Sequence, residues 1–366
     1  SWSSYLFSKV FVQFVLSGIQ ALSFVLIGNS IMEIKGMYFE YWLVLFSAWT
    51  FSNVMGLLIS DSFKTVVTIY ILIPFLVIPQ IILSGIIVKY ENLNPKISSP
   101  KSIPIYGEII TARWAYEGLA TYQFMNNLYQ QRYYELDKLA SNASFKSDFL
   151  INELQNKLRF VEKNLNDPVN EQQISYNLDL VRNEIIKEHK YRLLLKGMLP
   201  STPDNMFNGL ENLTPDRVNP DALTAALKYL QNTRDFYSKL YKQVFTRKNE
   251  IRSSEDKELI AQLKRDHHNE CLEEFVTNKN EFKRIVEFNG ELIQKTDPIY
   301  LDPMHKFVKS HFYAPQKQVF GKYLPTIWVN ILVIWCMSVL LFIALYFRIL
   351  KKILDYFENL EFGKNK

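Results

Sequence analysis

The stretch Asp266-His267-His268-Asn269-Glu270-Cys271 gathers the side chains that most often ligate a metal. On a continuous helix His267 and Cys271 lie one turn apart on one face, a spacing that could give zinc two ligands. The same positions extend an apolar stripe, Leu263, His267, Cys271 and Phe275. A packed imidazole and a buried thiol explain that stripe without a metal, and this is the preferred reading. His305 and His311 accompany Met304, but their six-residue separation does not return to one helical face. They are read as the approach to the last apolar run. Arg113 and Glu117 stand four apart at the start of a helix, which by itself describes a weak exposed pair. No Ser/His/Asp set or carboxylate pair stands out, and no GxxxxGK[ST] cradles a phosphate. The expectation is a chain with no catalytic residue, no metal and no cofactor of its own.

The elements that must position such residues are dominated by four uncharged runs, Val10 to Met32, Tyr41 to Ser60, Thr65 to Val88 and Tyr323 to Phe347. Each is about 20 residues or longer, enough helix at about 1.5 Å per residue to cross a hydrocarbon core of about 30 Å. All four are read as transmembrane helices. Three lie at one end and one at the other, with a long polar segment between. The last run leads into Arg348, Lys351 and Lys352, whereas the first link carries Glu33, Lys35 and Glu40. Positive charge predicts a cytoplasmic C-terminus, and four crossings then place the Asp61 to Lys64 turn inside and the 89 to 322 segment outside. The expected domains are 1–95 with three spans, 96–322 as an extracytoplasmic helical domain with a hairpin or coiled-coil insertion over about 126–299, and 323–366 as the last span and a cytoplasmic tail.

Two cysteines, Cys271 in the polar middle and Cys336 in the last run, exclude a disulfide framework. An unpaired external thiol favours a bacterial periplasm, hence an inner-membrane protein with its large domain periplasmic. The sequons at Asn142 and Asn212 would matter only in a eukaryote. A formal charge of +5 that alternates in sign along the exposed faces argues against a nucleic-acid surface. The chain begins Ser1-Trp2 without an initiator Met or cleavable signal, and is expected to be the C-terminal portion of a longer protein.

Within the polar middle, breakers at Asn166-Asp167-Pro168, Pro200 to Pro203 and Pro215 to Pro220 separate stretches of helical periodicity. Leu150, Leu154, Leu158, Val161 and Leu165 form one stripe and Leu178, Val181 and Ile185 another, as in antiparallel helical hairpins. Asp221 is taken as the N-cap of a helix through Leu223, Leu227, Leu230, Tyr237, Tyr241 and Val244, and a further long helix is expected over about 255–295. Strand alternation is nearly absent, so an all-α fold is predicted.

Inside the spans Gln13, Gln20, Asn53, Gln80 and Asn330 are amides that prefer a partner helix or a wet cavity to lipid. Pro74 and Pro79 fall in the third span, where missing backbone bonds permit a bend. A bent span carrying an amide is a fitting wall for a pathway.

The first span, Tyr5-Leu6-Phe7-Ser8-Lys9 through Ile19-Gln20-Ala21-Leu22 to Leu26-Ile27-Gly28-Asn29, resembles the third membrane helix of the type 2 ABC permeases, the fold of the G subfamily of ABC transporters. The third span ends Ile82-Leu83-Ser84-Gly85-Ile86-Ile87-Val88, similar to the Ser-Gly-aliphatic-aliphatic close of that family's fifth helix. Pro104-Ile105-Tyr106 and Arg113-Trp114-Ala115-Tyr116-Glu117-Gly118-Leu119 resemble its short external helices. The resemblance covers roughly 1 to 125 and 305 to 350, and the chain departs from it in the long insertion from about Asn126 to Ile299. It implies helices three to six of a six-helix permease half that works as a homodimer or pseudo-dimer in the lipid bilayer. It also implies a fused or separate ABC ATPase domain that binds ATP and Mg. By that match Ile86 and Ile87 are the outer gate, Pro74, Phe75, Pro79 and Gln80 with Asn53 line the substrate cavity, and Arg113, Trp114 and Glu117 belong to an external re-entrant segment.

The leading expectation is the permease part of an ATP-driven exporter of hydrophobic or amphipathic substrates working by alternating access. A variant keeps the ATPase but transmits motion to an extracytoplasmic protein partner. The alternatives are a membrane sensor or scaffold with a helical external domain and, less favoured, an ion channel, since the spans carry no charged ring.

Overall fold

The computed structural model describes residues 2–90, 98–303, 305 and 307–364, with side chains to residue 358. Met304 and the boundary expected at 95 lie outside the described residues. The chain is mostly helical and divides into two compact units, Ser1–Arg132 with Glu258–Val276 and Leu301–Lys366, and Tyr133–Lys257 with Thr277–Tyr300.

In the first unit, α1 (Trp2–Ile31), α2 (Tyr38–Ser62) and α12 (Thr326–Tyr346) are the described helices long and apolar enough to cross a membrane. The next apolar helix, α3 (Val66–Ile82), has 17 residues, about 25 Å at 1.5 Å per residue. It was expected to reach Val88 but stops at Ile82, and Gly85 follows in the left-handed region (φ 86°). Apolar composition alone does not register that conformational break. After it come α4 (Ile105–Ile109) and α5 (Thr111–Asn126).

α2 is the hub of this unit, packing against α1, α5 and α12. Between α1 and α2, Asn53 Nδ2 donates to Ser17 Oγ at 2.6 Å and Trp42 Nε1 to the Gly18 carbonyl at 3.0 Å. Trp335 Nε1 on α12 donates to Ser47 Oγ at 2.9 Å. Such bonds satisfy groups that would be costly against lipid. α5 approaches α12 closely at Gly118, where a Cβ would sit 3.4 Å from the Ile327 backbone. Helix α13 (Ile349–Lys364) follows α12.

The second unit is built on α6 (Tyr134–Phe145), a π-helical turn (Lys146–Leu150), α7 (Ile151–Asn164), α8 (Glu171–Met198) and α9 (Pro220–Ser254). The expected stripes form its core: Leu154, Leu158, Val161, Leu178, Val181 and Ile185 are all essentially inaccessible to solvent. Inside that core Glu188 accepts from Tyr237 Oη at 2.7 Å and pairs with Arg192 at 2.9 Å, and Lys146 Nζ reaches Tyr237 Oη at 3.2 Å. Burial lowers the Lys146 ammonium to about 7 despite the nearby Glu188.

Two expectations are corrected here. The cap of α9 is Asn219, whose side chain accepts from the Ala222 N–H at 2.7 Å, with Pro220 at the first helical position and Asp221 inside the first turn. The long helix expected over 255–295 is two short helices, α10 (Lys257–His267) and α11 (Glu270–Thr277), followed by an antiparallel hairpin of β1 (Ile285–Phe288) and β2 (Glu291–Gln294). Asn289 (φ 49°) and Gly290 (φ 72°) make its two-residue turn, the conformation that matches strand twist. A second hairpin, β3 (Gln316–Val319) and β4 (Lys322–Pro325), leads directly into α12. The all-α expectation therefore holds apart from two hairpins among the described residues.

The break between α10 and α11 also divides the Leu263, His267, Cys271 and Phe275 stripe. Asn269 caps α11 by accepting from the Leu272 N–H at 3.0 Å. That new start turns Leu272 and Val276 inward and leaves Cys271 and Phe275 exposed. The thiol expected to be buried is on the surface.

Candidate functional site

Along the second and third apolar helices, residues Ala48, Ser52 and Gly56 of α2 repeat every four positions and leave a shallow face. Opposite them α3 presents Ile73, Leu76, Val77 and Gln80, also one helical stripe. Between the two faces lies an apolar cleft of about 360 Å³. A Cβ added at Gly56 would meet nothing within 4 Å, so the glycine borders open space. At one end of the cleft Gln80 Oε1 accepts from the Ala112 N–H at 3.1 Å. Ala112 is in the first turn of α5, whose N-cap, Ile110, makes no side-chain bond, so α3 supplies the acceptor that this helix start lacks.

Of the expected cavity residues, the structure brings Gln80 to this cleft. Pro74 and Phe75 lie on the exposed side of α3, Phe75 being 71% accessible. Asn53 faces α1 through Ser17. α3 runs as a helix through both Pro74 and Pro79, neither of which has an N–H for the carbonyl four residues earlier, that of Tyr70 or Phe75. Ile86 and Ile87 lie just past the end of α3 and are both exposed. Sequence reasoning passed over Ser52, Met55 and Gly56; the four-residue repeat of small side chains on α2 was the available signal.

Beside the end of the cleft is a buried ionic corner. Glu117 Oε2 accepts from Lys317 Nζ at 2.7 Å, Arg113 Nη1 at 3.0 Å and Asn330 Nδ2 at 3.0 Å. Arg113 also donates to the Gly107 carbonyl at 3.2 Å, pairs with Glu108, and lays its guanidinium over the Trp114 ring. Arg113 and Glu117 are fully buried and Lys317 nearly so, so the weak exposed pair expected at 113 and 117 is corrected. The helical spacing was legible; its burial follows from Lys317 on β3 and Asn330 on α12, both about two hundred positions away in sequence.

Electrostatics follow from that burial. For Glu117, burial raises the carboxyl, but the Lys317 ammonium and the Arg113 guanidinium outweigh it and hold the group below the usual range. For Lys317, burial lowers the ammonium to about 8 against the pull of Glu117. Glu108 is raised, burial exceeding the effect of Arg113. The corner is a charge-compensated joint of α5, β3 and α12, with no nucleophile or general base aimed at a reacting atom.

His267 and Cys271 fall on different helices. Among the described residues no group of three or more His, Cys, Asp or Glu side chains forms a metal-ligand set.

Residues 1–124 match the family model of the ABC-2 type transporter, a stretch that runs from α1 to near the end of α5. No curated protein and no solved structure matches the chain. The family match, which covers the first third of the chain, and the long apolar helices together support an integral membrane protein with an ABC-2 type permease domain; such domains generally work with an ABC ATPase in the lipid bilayer.

Proposed function

We propose that this chain supplies helices three to six of a type 2 permease half and exports a hydrophobic or amphipathic substrate by alternating access. The half dimerises and draws on ATP and Mg bound by its ATPase. The observation that carries the reading is the apolar cleft between α2 and α3, which has one polar end at Gln80 and is walled by a helix with two missing backbone bonds. A substrate with an apolar body and a polar head suits such a lining. Movement of α3 against α2 would change the cleft's volume and so its affinity for substrate in the two states.

In this scheme Ile86 and Ile87 close the outer end of the pathway. The test is transport and substrate-stimulated ATPase activity of the complete reconstituted transporter carrying Ile86→Ala and Ile87→Ala. Loss of coupling, with basal ATPase raised relative to transport, is expected. Unchanged transport and unchanged stimulation would remove the gate from these residues.

A second reading, motion passed to an extracytoplasmic protein partner without a substrate crossing, draws support from the ionic corner. Because Asn330 of α12 bonds the buried carboxylate that joins α5 to β3, displacement of α12 is carried to α5 as a rigid step. It predicts ATPase activity that responds to the partner and is indifferent to hydrophobic compounds. Placement of the 126–299 insertion outside the membrane is part of both readings.

A further inference from the structure

Helix α13 leaves α12 through one left-handed residue, Arg348 (φ 50°), and its two faces meet different surroundings. One face is tied by charge to the turn between α2 and α3. Lys64 Nζ lies 2.5 Å from Glu358 Oε2 and 3.6 Å from Asp355 Oδ1, and Arg348 Nη2 lies 3.3 Å from Asp61 Oδ1. The other face carries Ile349, Ile353, Tyr356 and Phe357, the i, i+4, i+7, i+8 spacing of one stripe, all between 42% and 64% accessible.

That stripe begins just after the exposed apolar residues Leu340 and Ile343 of α12 and Phe347 at its C-terminal cap. The two surfaces are consecutive in the chain and separated by Arg348 alone. Lys351 and Lys352 occupy the first turn of α13, while the acids Asp355 and Glu358 are engaged by Lys64. Lys352 borders the apolar stripe, whereas Lys351 lies on the opposite face with Asp355 and Glu358. An amphipathic helix with aliphatic and aromatic residues on one face and a lysine at its border has the composition of helices that lie in the membrane–water boundary. Because the stripe follows directly on the exposed apolar surface of a helix long and apolar enough to cross a membrane, lipid is the occupant that requires no further protein at that depth.

We propose that α13 is a membrane-surface helix: its Ile349, Ile353, Tyr356 and Phe357 face is sunk into the leaflet where α12 ends, Lys352 at the border of that face meets anionic lipid phosphates, and its opposite face holds the α2–α3 turn at that depth. The turn precedes α3, the wall of the cleft, so α13 fixes the membrane end of that wall.

The test uses the full chain in its native assembly, in nanodiscs of phosphatidylcholine and phosphatidylglycerol, with Cys271→Ser and Cys336→Ser and single spin-labelled cysteines at Ile353→Cys and Phe357→Cys. Collision with oxygen several-fold above collision with a water-soluble nickel chelate is expected at both sites. A higher nickel than oxygen collision rate would place the face in water and overturn the proposal. Exclusion of both relaxants would place it against protein and overturn it equally. Lys352→Glu is expected to shift the labels toward water in the mixed nanodiscs and to have a smaller effect in pure phosphatidylcholine. Equal shifts in the two lipids would remove the headgroup contact from the proposal. None of these readings depends on transport, so they stand apart from failure of the exporter assignment.

Discussion

Helices α2 and α3 are consecutive, both apolar and separated by a short turn, yet the less apolar α2 is embedded in the unit and α3 is peripheral. α2 buries residues along its length against α1, α5 and α12 and exchanges side-chain bonds with them. α3 has no buried residue, and Gln80 bonds it to α5. Hydrophobicity suits both to a membrane but does not fix either one against its neighbours. Small residues, amides and buried charges do that, because helices in lipid gain little from further apolar contact. The comparison separates a frame of α2, α5 and α12 from a wall, α3, that the frame holds at one end.

The strongest way to break the frame is Glu117→Ala. It leaves Arg113 and Lys317 buried without their shared carboxylate, and removing one member of a buried pair costs about 3–5 kcal/mol. The expected outcome is a large loss of folded protein in detergent, read by size-exclusion fluorescence and thermal unfolding. A variant as stable as the parent would mean that the corner is solvated and the frame rests on apolar packing. Glu117→Gln, which keeps the shape and an acceptor, should fall between the two.

A pH titration addresses the same joint without a mutation. Lys317 is lowered from 10.5 to about 8 in the folded protein, so between those values the unfolded chain binds more protons and stability rises with pH. The slope of that contribution approaches about 1.4 kcal/mol per pH unit. Glu117 acts at the other end: its lowered carboxyl contributes stability above its ordinary range, and that contribution is lost as the solution is acidified through the folded value. Unfolding measured from pH 7.5 to 10.5 should therefore show an upward component absent from Lys317→Met. A profile identical in the two proteins would show that the lysine is exposed to water.

How much of this was legible in the sequence differs along the same line. α1, α2 and α12 were readable because their uncharged runs are long, and the core of the second unit because Leu154, Leu158, Leu178 and Val181 keep helical spacing. The end of α3 was not, since Leu83 to Val88 remain apolar while the backbone turns at Gly85. The hairpin at 285–294 did carry a signal, Asn289-Gly290 between short apolar segments, but surrounding helical periodicity masked it. The ionic corner was half visible, as Arg113 and Glu117, because Lys317 lies 200 residues from Glu117 and no local pattern joins them. Of the cleft, Gln80 was legible as a costly amide; its opposite face is made of residues notable for being small.

Gly85→Ala tests the junction between the wall and the proposed outer gate. A Cβ there would sit 2.7 Å from Phe312 Cζ, and a left-handed φ of 86° costs a non-glycine residue about 1–2 kcal/mol. A modest fall in thermal stability is expected, with a larger change in transport if the turn sets the position of Ile86 and Ile87. A stability loss without any change in transport would detach the turn from the pathway.

The smallest effect on stability and the most direct on the cleft should come from Gly56→Leu. A Cβ at this position meets nothing within 4 Å and borders the cleft, and leucine is favoured over glycine in a helix by about 1 kcal/mol or less. The folded protein should be unchanged or slightly stabilised. In the exporter reading the new side chain occupies volume that substrate needs, so binding and substrate-stimulated ATPase activity should fall while basal ATPase activity persists. If both persist unchanged, the cleft is a packing gap between a frame and a loosely held helix, and α3 owes its exposed surface to lipid or to a second copy of the chain.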